Sequence, residues 1–233
     1  MTHRLVLWDI DGTLLTTGVV GRRALERGAA DAASLEVVPE VSMGGKTDPR
    51  IIAEILAAAG VSGNSIPELV PKALASAEEH LAQWRSWMTA EGRVHHGVRE
   101  VLERLGATDG VRQTLLTGNT EANAFVKVDT FGLAGFFDFA IGAFGSDHAD
   151  RDALVPVALE RAARIRGDHY TAREAWIIGD TGNDVRCARA GGAHCLLVGT
   201  GREGIGALGG LTPDHLFDDL SDTEAVLTAV LGT

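Results

Sequence analysis

The stretch "LVLWDIDGTLL", residues 5–15, combines an apolar, strand-like run with two aspartates and then a glycine. Leu5 to Trp8 form a near-continuous hydrophobic run of the kind found in the buried strands of parallel sheets. Asp9 and Asp11 follow this run directly, where a buried carboxylate is strongly disfavoured unless a cation faces it. We therefore interpret the stretch as a strand that delivers two carboxylates to a functional site.

The composition indicates a globular protein with enough apolar material for a sizeable core. The chain has 233 residues, of which 45% are hydrophobic. Its formal net charge of −11 argues against a general binder of nucleic acid or of anionic membranes, because such a binder needs a basic face. We expect neither nucleic acid nor a membrane as a partner.

The cysteines and the N-terminal sequence suggest a location. Cys187 and Cys195 are too few for a disulfide framework and favour a reducing compartment. Both are predicted to be buried, Cys187 on a helix and Cys195 at the start of a strand. The N-terminal apolar run is too short for a signal peptide, and no stretch approaches the roughly 20 apolar residues that span a membrane. We expect a cytoplasmic protein.

The sequence of residues 16–92 predicts an all-helical insertion. A helix is predicted over residues 21–35, and a second one in "KTDPRIIAEILAAAG", with Asp48 as N-cap, Pro49 as its first helical residue and Gly60 as its stop. The stretch 66–92 continues with apolar residues at helical spacing. The predicted packing residues of this stretch are Leu74, Ala77, Leu81, Trp84, Trp87 and Met88.

From residue 98 onward, predicted helices and strands alternate. The strands are "RQTLLTGN", "FDFAIGAF", "AWIIGD" and "HCLLVGTG", with a weak strand at 215–217. Strand–helix alternation predicts a parallel sheet with helices on both faces. The expected fold is therefore α/β, with a Rossmann-like parallel-sheet core formed by residues 1–15 and 93–233 and an inserted all-helical cap domain formed by residues 16–92.

Three of the predicted strands end in reactive side chains. Asp9 and Asp11 follow the first strand, Thr117 follows "TLL" and Asp180 follows "WII"; Asp184 comes four residues later, near the start of a helix. Ligands of open α/β sheets bind at the carboxyl ends of the strands. Carboxylates that converge there need a cation, and hard oxygen ligands favour Mg²⁺.

Each of these pieces also has an ordinary structural interpretation. "DG" after an apolar run is a common turn, "TGN" can end a strand and cap a helix, and "GDTGND" can be an acidic loop before a helix. Their conjunction, each at the end of a strand, favours a functional site.

These segments together resemble the haloacid dehalogenase-like superfamily of phosphotransferases, particularly its phosphoglycolate-phosphatase-like branch. "DIDGTLL" is similar to the first motif of that family, "LLTGN" to the second and "IIGDTGNDV" to the fourth. The order and spacing of the motifs fit nearly the whole chain. The helical stretch after the first motif is similar to the family's helical cap.

The resemblance implies a role for each matching residue. Asp9 would be the nucleophile that forms an aspartyl-phosphate, and Asp11 would protonate the leaving alkoxide and then activate water. Mg²⁺ would be held by Asp9, Asp180 and the backbone of Asp11, with Asp184 supporting the metal shell. The substrate-binding residues at the phosphoryl group would be Thr117, Gly118 and Asn119.

The chain departs from the family at the third motif, which is usually a lysine. The corresponding region, "GSDHADRDALVPVALERA", contains no lysine, so Arg151 is the expected substitute as a catalytic and substrate-binding cation. A solvated arginine before a helix is the alternative. Lys127 is the rival cation, but its position within "FVKVDTFGL" predicts a side chain that faces solvent.

The cap carries a further candidate contact with substrate. "GGKTDP" places Lys46 and Thr47 beside a helix N-terminus, a position that favours anions, and similar segments of the family face the active site. His95 and His96, just before the core resumes, are expected to be hinge or surface residues.

The expected function is that of a Mg²⁺-dependent phosphatase acting on a small phosphorylated metabolite. Phosphoglycolate is the substrate that the resemblance suggests, and pyrophosphate, sugar phosphates and nucleotides fit the same core. A phosphosugar mutase is the alternative within this chemistry, although mutases more often have a β-branched apolar residue in place of Thr13. A dehalogenase is disfavoured, because its reaction does not need Asp11. A phosphonate hydrolase would need a lysine in the cap that forms a Schiff base.

A signalling receiver domain, in which a metal-assisted aspartate is phosphorylated, is the alternative from a different class. Receivers are about half as long as this chain and lack a large helical cap. The oligomeric state, monomer or homodimer, stays open.

Overall fold

A computed structural model describes residues 3–232 of the chain. Its core is a five-stranded parallel sheet with the strand order β4-β1-β5-β6-β7. The strands are β1 (Arg4–Trp8), β4 (Val111–Leu115), β5 (Ala175–Gly179), β6 (His194–Val198) and β7 (His215–Phe217). The prediction of a Rossmann-like parallel sheet with an inserted helical cap is therefore confirmed.

Helices cover both faces of the sheet, because alternate side chains of each strand point to opposite faces. Val6 and Trp8 of β1 pack into one apolar cluster with α5 (Val98–Gly106) and α10 (Thr223–Leu231). Leu5 and Leu7 pack into a second cluster on the other face. This second cluster includes residues of α7 (Leu154–Arg161), α8 (Gly182–Gly191) and α9 (Ile205–Gly209). Both faces of β1 are therefore buried, which explains its continuous apolar run.

Both cysteines lie in the second cluster. Cys187 is on α8 and Cys195 is on β6, and both are buried. Burial raises the pKa of the Cys187 thiol to about 12, which keeps it in the unreactive protonated form. The prediction of buried packing roles is confirmed.

The cap helices lie between two short strands that pair antiparallel, β2 (Leu15–Thr16) and β3 (Arg93–Val94). They are α1 (Val20–Ala33), α2 (Asp48–Ala58), α3 (Ile66–Gln83) and α4 (Arg85–Glu91). The β2–β3 pair joins the outgoing and returning chain at the base of the cap. The exact bounds of the insertion, 16–92, stay a prediction.

Several boundaries and side chains in the cap differ from the sequence-based prediction. Thr47, rather than Asp48, occupies the N-cap position of α2, a shift of one residue of the kind that is common at helix ends. Ala77, Leu81 and Met88 are fully buried as predicted. Trp87 is 38% exposed, because it packs edge-on against Trp84 at the cap surface instead of entering the core.

The predicted strand "FDFAIGAF" does not form. Residues Phe139–Ile141 make a 3₁₀ turn. The segment's one β-bridge joins Ala143 to Leu116, just after β4. The Thr114 hydroxyl donates to the Asp138 carbonyl at 2.7 Å, which helps to hold the start of the segment in this turn. Its apolar residues are nevertheless packed against the core, Phe144 in the first cluster and Ile141 in the second.

Among the described residues, no helix combines the length and the apolar character that a membrane crossing requires. The remaining helix of the core is α6 (Glu121–Thr130), which follows β4 and begins with Thr120 as a side-chain N-cap. It matters for the site below because its N-terminus faces the cap.

The close packing of α1 on α3 gives a test of the cap. Gly28 of α1 has no room for a Cβ atom, which would clash with the Ala73 carbonyl and with Ala77. We predict that Gly28→Ala lowers the free energy of unfolding by about 1–3 kcal/mol in urea denaturation, because overpacking outweighs the gain in helix propensity. Gly206→Ala, the same change in a helix with open space around it, is the control and should not destabilise the protein. A stabilised Gly28→Ala variant would contradict this packing.

Candidate active site

The carboxyl ends of three adjacent strands bring the predicted site residues together. Because the sheet order is β4-β1-β5, the segment after β1 lies between the segments after β4 and β5. Asp9, Thr117 and Asp180 all line one cavity of about 540 Å³ between the core and the cap. The lining includes the other sequence-predicted residues except Thr47 and Asp184, namely Asp11, Lys46, Gly118, Asn119 and Arg151.

The glycine after Asp11 is required by the approach of Asp180. Gly12 has φ +92°, a conformation that L side chains rarely adopt, and a Cβ there would clash with the Asp180 carboxylate. The same carboxylate accepts a hydrogen bond from Thr13 Oγ1 at 3.1 Å. The turn "DGT" therefore places Asp180 beside the end of β1.

Arg151 bridges two of the buried carboxylates. Its Nη2 forms an ion pair with Asp9 Oδ1 at 3.2 Å and donates a hydrogen bond to Asp184 Oδ1. Arg151 is 3% exposed. The paired carboxylates raise its pKa further above the usual arginine value, so it stays charged at every physiological pH. Arg151 therefore places a buried positive charge beside Asp9.

Asp184 is fully occupied by donors from the protein. Its Oδ2 accepts from the amide of Asp180 at 3.3 Å and from both the amide and the hydroxyl of Thr181, at 3.0 Å and 2.7 Å. Its Oδ1 accepts from Arg151. Asp184 therefore orients Arg151 and the segment after β5, and it has little capacity left to bind a metal ion directly.

The site holds more buried negative charge than its own cation offsets. Burial raises the pKa of Asp9 to about 6, although Arg151 acts in the opposite direction. Burial, followed by repulsion from Asp9 and Asp184, raises the pKa of Asp180 well above its usual value. One oxygen from each of these three aspartates lies within 4.8 Å of the others.

This arrangement fits a divalent cation. The available ligands are hard carboxylate oxygens, the type that Mg²⁺ prefers, and a bound dication would supply the missing positive charge. Asp9 and Asp180 face the cavity, whereas the oxygens of Asp184 are already hydrogen-bonded.

Asp11 is held by a pair of side chains that the sequence analysis did not connect. Lys127 Nζ lies 2.5 Å from Asp11 Oδ2 and 2.6 Å from Asn119 Oδ1. Asn119 Nδ2 donates to the same Asp11 oxygen at 2.9 Å and to Thr117 Oγ1 at 2.8 Å. The Thr117 side chain lies close enough to Asp9 to counteract part of the rise in the pKa of that carboxyl.

The prediction that Lys127 faces solvent is therefore wrong. The residue is only 5% exposed, because α6 turns it toward the core on the same face as Asn123, Ala124 and Val128. That face was readable from the helical spacing, since Asn123 lies four residues before Lys127 and Val128 four residues after Ala124.

The cap segment Gly44–Asp48 contacts the loops of the core. The Asp48 amide donates to the Gly118 carbonyl at 2.7 Å, and the Thr47 hydroxyl donates to the Ala149 carbonyl at 2.6 Å. Gly118 must be a glycine here, because a Cβ would clash with the carbonyl of Lys46. The segment therefore forms one wall of the cavity.

Asp48 has a role at the start of α6 that the sequence did not predict. It is 4% exposed, and its Oδ2 accepts from Thr120 N at 3.0 Å and from Asn123 Nδ2 at 2.9 Å, so it caps α6 of the core. Lys46 lines the cavity but forms an ion pair with Glu54 at 2.5 Å.

His95 lies where the chain returns from the cap, with its amide donating to the Leu14 carbonyl at 3.0 Å. The side chain lines the cavity instead of lying on the surface. Burial lowers the pKa of His95, so its ring is neutral at pH 7.

Comparison with known proteins shows which hydrolases the chain is similar to. A HAD-hydrolase-like family model matches residues 135–223. A phosphoglycolate phosphatase of Pseudomonas putida is 26% identical over 223 residues, covering 93% of this chain and 77% of the relative. The plasmid-encoded phosphoglycolate phosphatase of Cupriavidus necator is 26% identical over 236 residues, covering 96% of this chain and 92% of the relative. The chain is therefore similar to HAD-like hydrolases over residues 135–223 and to phosphoglycolate phosphatases along most of its length.

Solved structures of other proteins share the fold of this chain. A predicted phosphatase from Clostridium acetobutylicum superposes with a TM-score of 0.70 at 15% identity, covering 97% of this chain and 99% of that one. CbbY from Rhodobacter sphaeroides, solved in complex with phosphate, superposes with a TM-score of 0.68 at 18% identity, covering 99% of this chain and all of that one, 100%. The similarity therefore extends over both the core and the cap.

The buried position of Arg151 generates a prediction for stability and for any activity of the site. We predict that Arg151→Ala lowers the free energy of unfolding by about 3–5 kcal/mol, because it leaves Asp9 and Asp184 without their cation. Turnover should fall about a hundredfold, and Arg151→Lys should recover part of both losses.

Arg186→Ala is the matched control, since Arg186 forms an exposed pair with Asp152 at 2.9 Å and should contribute about 0–1 kcal/mol. Urea denaturation and steady-state kinetics measure the two effects. An Arg151→Ala variant that is as stable and as active as Arg186→Ala would contradict the assignment.

Proposed function

We propose that this protein is a Mg²⁺-dependent phosphatase that hydrolyses a small phosphate monoester through an aspartyl-phosphate at Asp9. The observation that carries the proposal is the setting of Asp9, which is buried at the end of β1 between Arg151 and Thr117 and opens into the cavity. A carboxylate in that setting is held rigidly beside a fixed positive charge, as a nucleophile toward an anionic phosphate requires.

In the first step, an Asp9 oxygen attacks phosphorus while the bond from phosphorus to the leaving oxygen breaks. Asp11, two residues further along the turn, gives its proton to that leaving oxygen, so an alcohol departs and Asp11 becomes a carboxylate. Arg151 offsets the charge of Asp9 and the approaching phosphate. The Thr117 hydroxyl and the Gly118 amide are the donors available to the phosphoryl oxygens, because both Nδ2 hydrogens of Asn119 are already donated to Asp11 and Thr117.

In the second step, Asp11 takes a proton from water, and the resulting hydroxide attacks phosphorus. The bond between phosphorus and the Asp9 oxygen breaks, which releases inorganic phosphate and regenerates the Asp9 carboxylate. Asp11 is protonated again and ready for the next turnover. Asp9, Asp180 and the backbone carbonyl of Asp11 would hold the Mg²⁺. The ion, when bound, supplies positive charge next to the transferring phosphoryl group.

The cavity supports a substrate with a second anionic group. Besides the residues at the phosphoryl position, cations from the cap and its base line it, including Arg22, Lys46 and Arg93. Arg22 pairs with Glu26 and Lys46 with Glu54, whereas no carboxylate pairs with Arg93 among the described residues. Phosphoglycolate, the substrate in the names of the relatives, carries such a group and is the first compound to assay.

Replacing the nucleophile tests the proposal most simply. Asp9→Asn should reduce turnover of phosphoglycolate by at least a thousandfold, because an amide does not attack phosphorus. It should not destabilise the fold, since the Asp9 carboxylate is itself disfavoured by burial. Asp109→Asn changes an exposed aspartate in the same way and should keep wild-type activity. A tenth of the wild-type kcat in Asp9→Asn would overturn the proposal.

Metal removal tests the proposed dependence of the reaction on Mg²⁺. Dialysis against a chelator should abolish hydrolysis, and Mg²⁺ should restore it, because the carboxylates of Asp9 and Asp180 need a cation between them. In Asp180→Asn the Mg²⁺ concentration that gives half-maximal activity should rise at least tenfold. Full activity of the wild type in metal-free buffer would remove the metal from the reaction.

A further inference from the structure

We propose that Lys127 is a positioning residue that acts through Asp11 and fixes which carboxylate oxygen exchanges the proton with the leaving group. This inference rests on the proposed function, because it needs Asp11 to be the acid and base of the reaction. Lys127 lies outside the sequence segments that carry the resemblance described above.

The geometry around Asp11 is asymmetric. Lys127 Nζ and Asn119 Nδ2 both donate to Oδ2, at 2.5 Å and 2.9 Å. Within residues 3–232, Asp11 Oδ1 accepts no hydrogen bond from the protein. The Asp11 side chain is 43% exposed toward the cavity, whereas that of Lys127 is 7% exposed. Oδ2 is therefore tethered, and Oδ1 is the oxygen free to give or take a proton.

Lys127 and Asn119, the two donors to Asp11 Oδ2, are also hydrogen-bonded to other side chains. Lys127 also donates to Asn119 Oδ1 at 2.6 Å, so two of its three ammonium hydrogens are engaged, and Asn119 reaches Thr117 as well as Asp11. Thr117 and Asp9 line the same cavity, side by side at the ends of the adjacent strands β4 and β1. The chain Lys127–Asn119–Thr117 consequently links the positions of the nucleophile and of the acid and base.

Neighbouring elements fit the lysine closely. On the cap side, Gly21 of α1 faces the ammonium, and a Cβ on it would lie 3.3 Å from Nζ. The buried carboxylate of Asp48, which caps α6, lies near enough to interact with the charge of Lys127. A cation placed between two carboxylates and almost closed off from solvent is suited to hold side chains in place.

Direct binding of the substrate phosphate is the competing role for Lys127, and the two roles have different kinetic signatures. A residue that acts through the general acid matters when the leaving group needs a proton, and much less when it does not. An alkyl phosphate such as phosphoglycolate has a leaving group that needs the proton. The p-nitrophenolate group departs without one. A residue that binds phosphate would instead affect both substrates alike and would raise KM.

The experiment uses Lys127→Met, which keeps the length and the apolar stem but removes the charge and the donors. The rate of the first chemical step is measured by rapid quench for phosphoglycolate and for p-nitrophenyl phosphate. We expect a loss of roughly 10–100-fold for phosphoglycolate and of about threefold or less for p-nitrophenyl phosphate, with KM changed little. Lys72→Met, at an exposed lysine of the cap, is the control and should leave both rates unchanged.

A double-mutant comparison separates action through Asp11 from an independent role. Because Lys127 acts through Asp11, Lys127→Met should cost no further rate when Asp11 is already replaced, so Asp11→Asn and the double variant should react at the same rate. Urea denaturation checks that each variant is folded. If Lys127→Met is not, Asn119→Ala removes the other donor to Asp11 Oδ2 and should give the same substrate pattern.

Equal losses on both substrates, a raised KM, or additive losses in the double variant would overturn the role of Lys127. Failure of the proposed function would be distinguishable, since Asp9→Asn would then remain active on both substrates. An inactive Asp9→Asn together with equal losses in Lys127→Met would retain the phosphatase and reject only the positioning role.

Discussion

Three buried carboxylates meet at the carboxyl edge of one parallel sheet, and the cost of their mutual repulsion is the constraint on which the site depends. Arg151 offsets part of this charge by contacting Asp9 and Asp184, and the donors around Asp184 offset more of it. Asp180 retains a strongly raised pKa even so. The residual charge explains why the same geometry that is costly for the protein alone is suited to a divalent cation and a phosphate.

The cap covers the site and also makes direct contacts with the loops that carry the site residues. Its segment Gly44–Asp48 lies against the loop after β4, where Asp48 caps α6 and contacts the Gly118 carbonyl. Arg151 Nη1 also donates to the carbonyl of Gly45 at 3.3 Å. The cation opposite the nucleophile and the helix that carries Lys127 are therefore both in contact with the cap, so cap and core define the cavity jointly.

The sequence was most informative where one physical signal dominates. The buried run before Asp9 and the alternation of strands and helices were sufficient for the sheet, for its helical insertion and for the strand ends that meet. The segment "FDFAIGAF" had the right alternation but forms almost no ladder, because strand pairing depends on neighbours that a local pattern does not specify. Lys127 was misassigned because a lysine in a helix usually faces solvent, and its buried partners Asp11 and Asn119 are far away in the sequence.

The covalent intermediate at Asp9 is the central claim, and trapping it is the most direct test. The enzyme would be mixed with excess phosphoglycolate and Mg²⁺, quenched in acid within the first turnover, and reduced with borohydride, which converts an aspartyl-phosphate to homoserine. Peptide mass spectrometry then locates the modified residue. The account predicts homoserine at position 9 and nowhere else. Rapid release of phosphate with unmodified Asp9 at every quench time, or a phosphoryl group on another side chain, would contradict it.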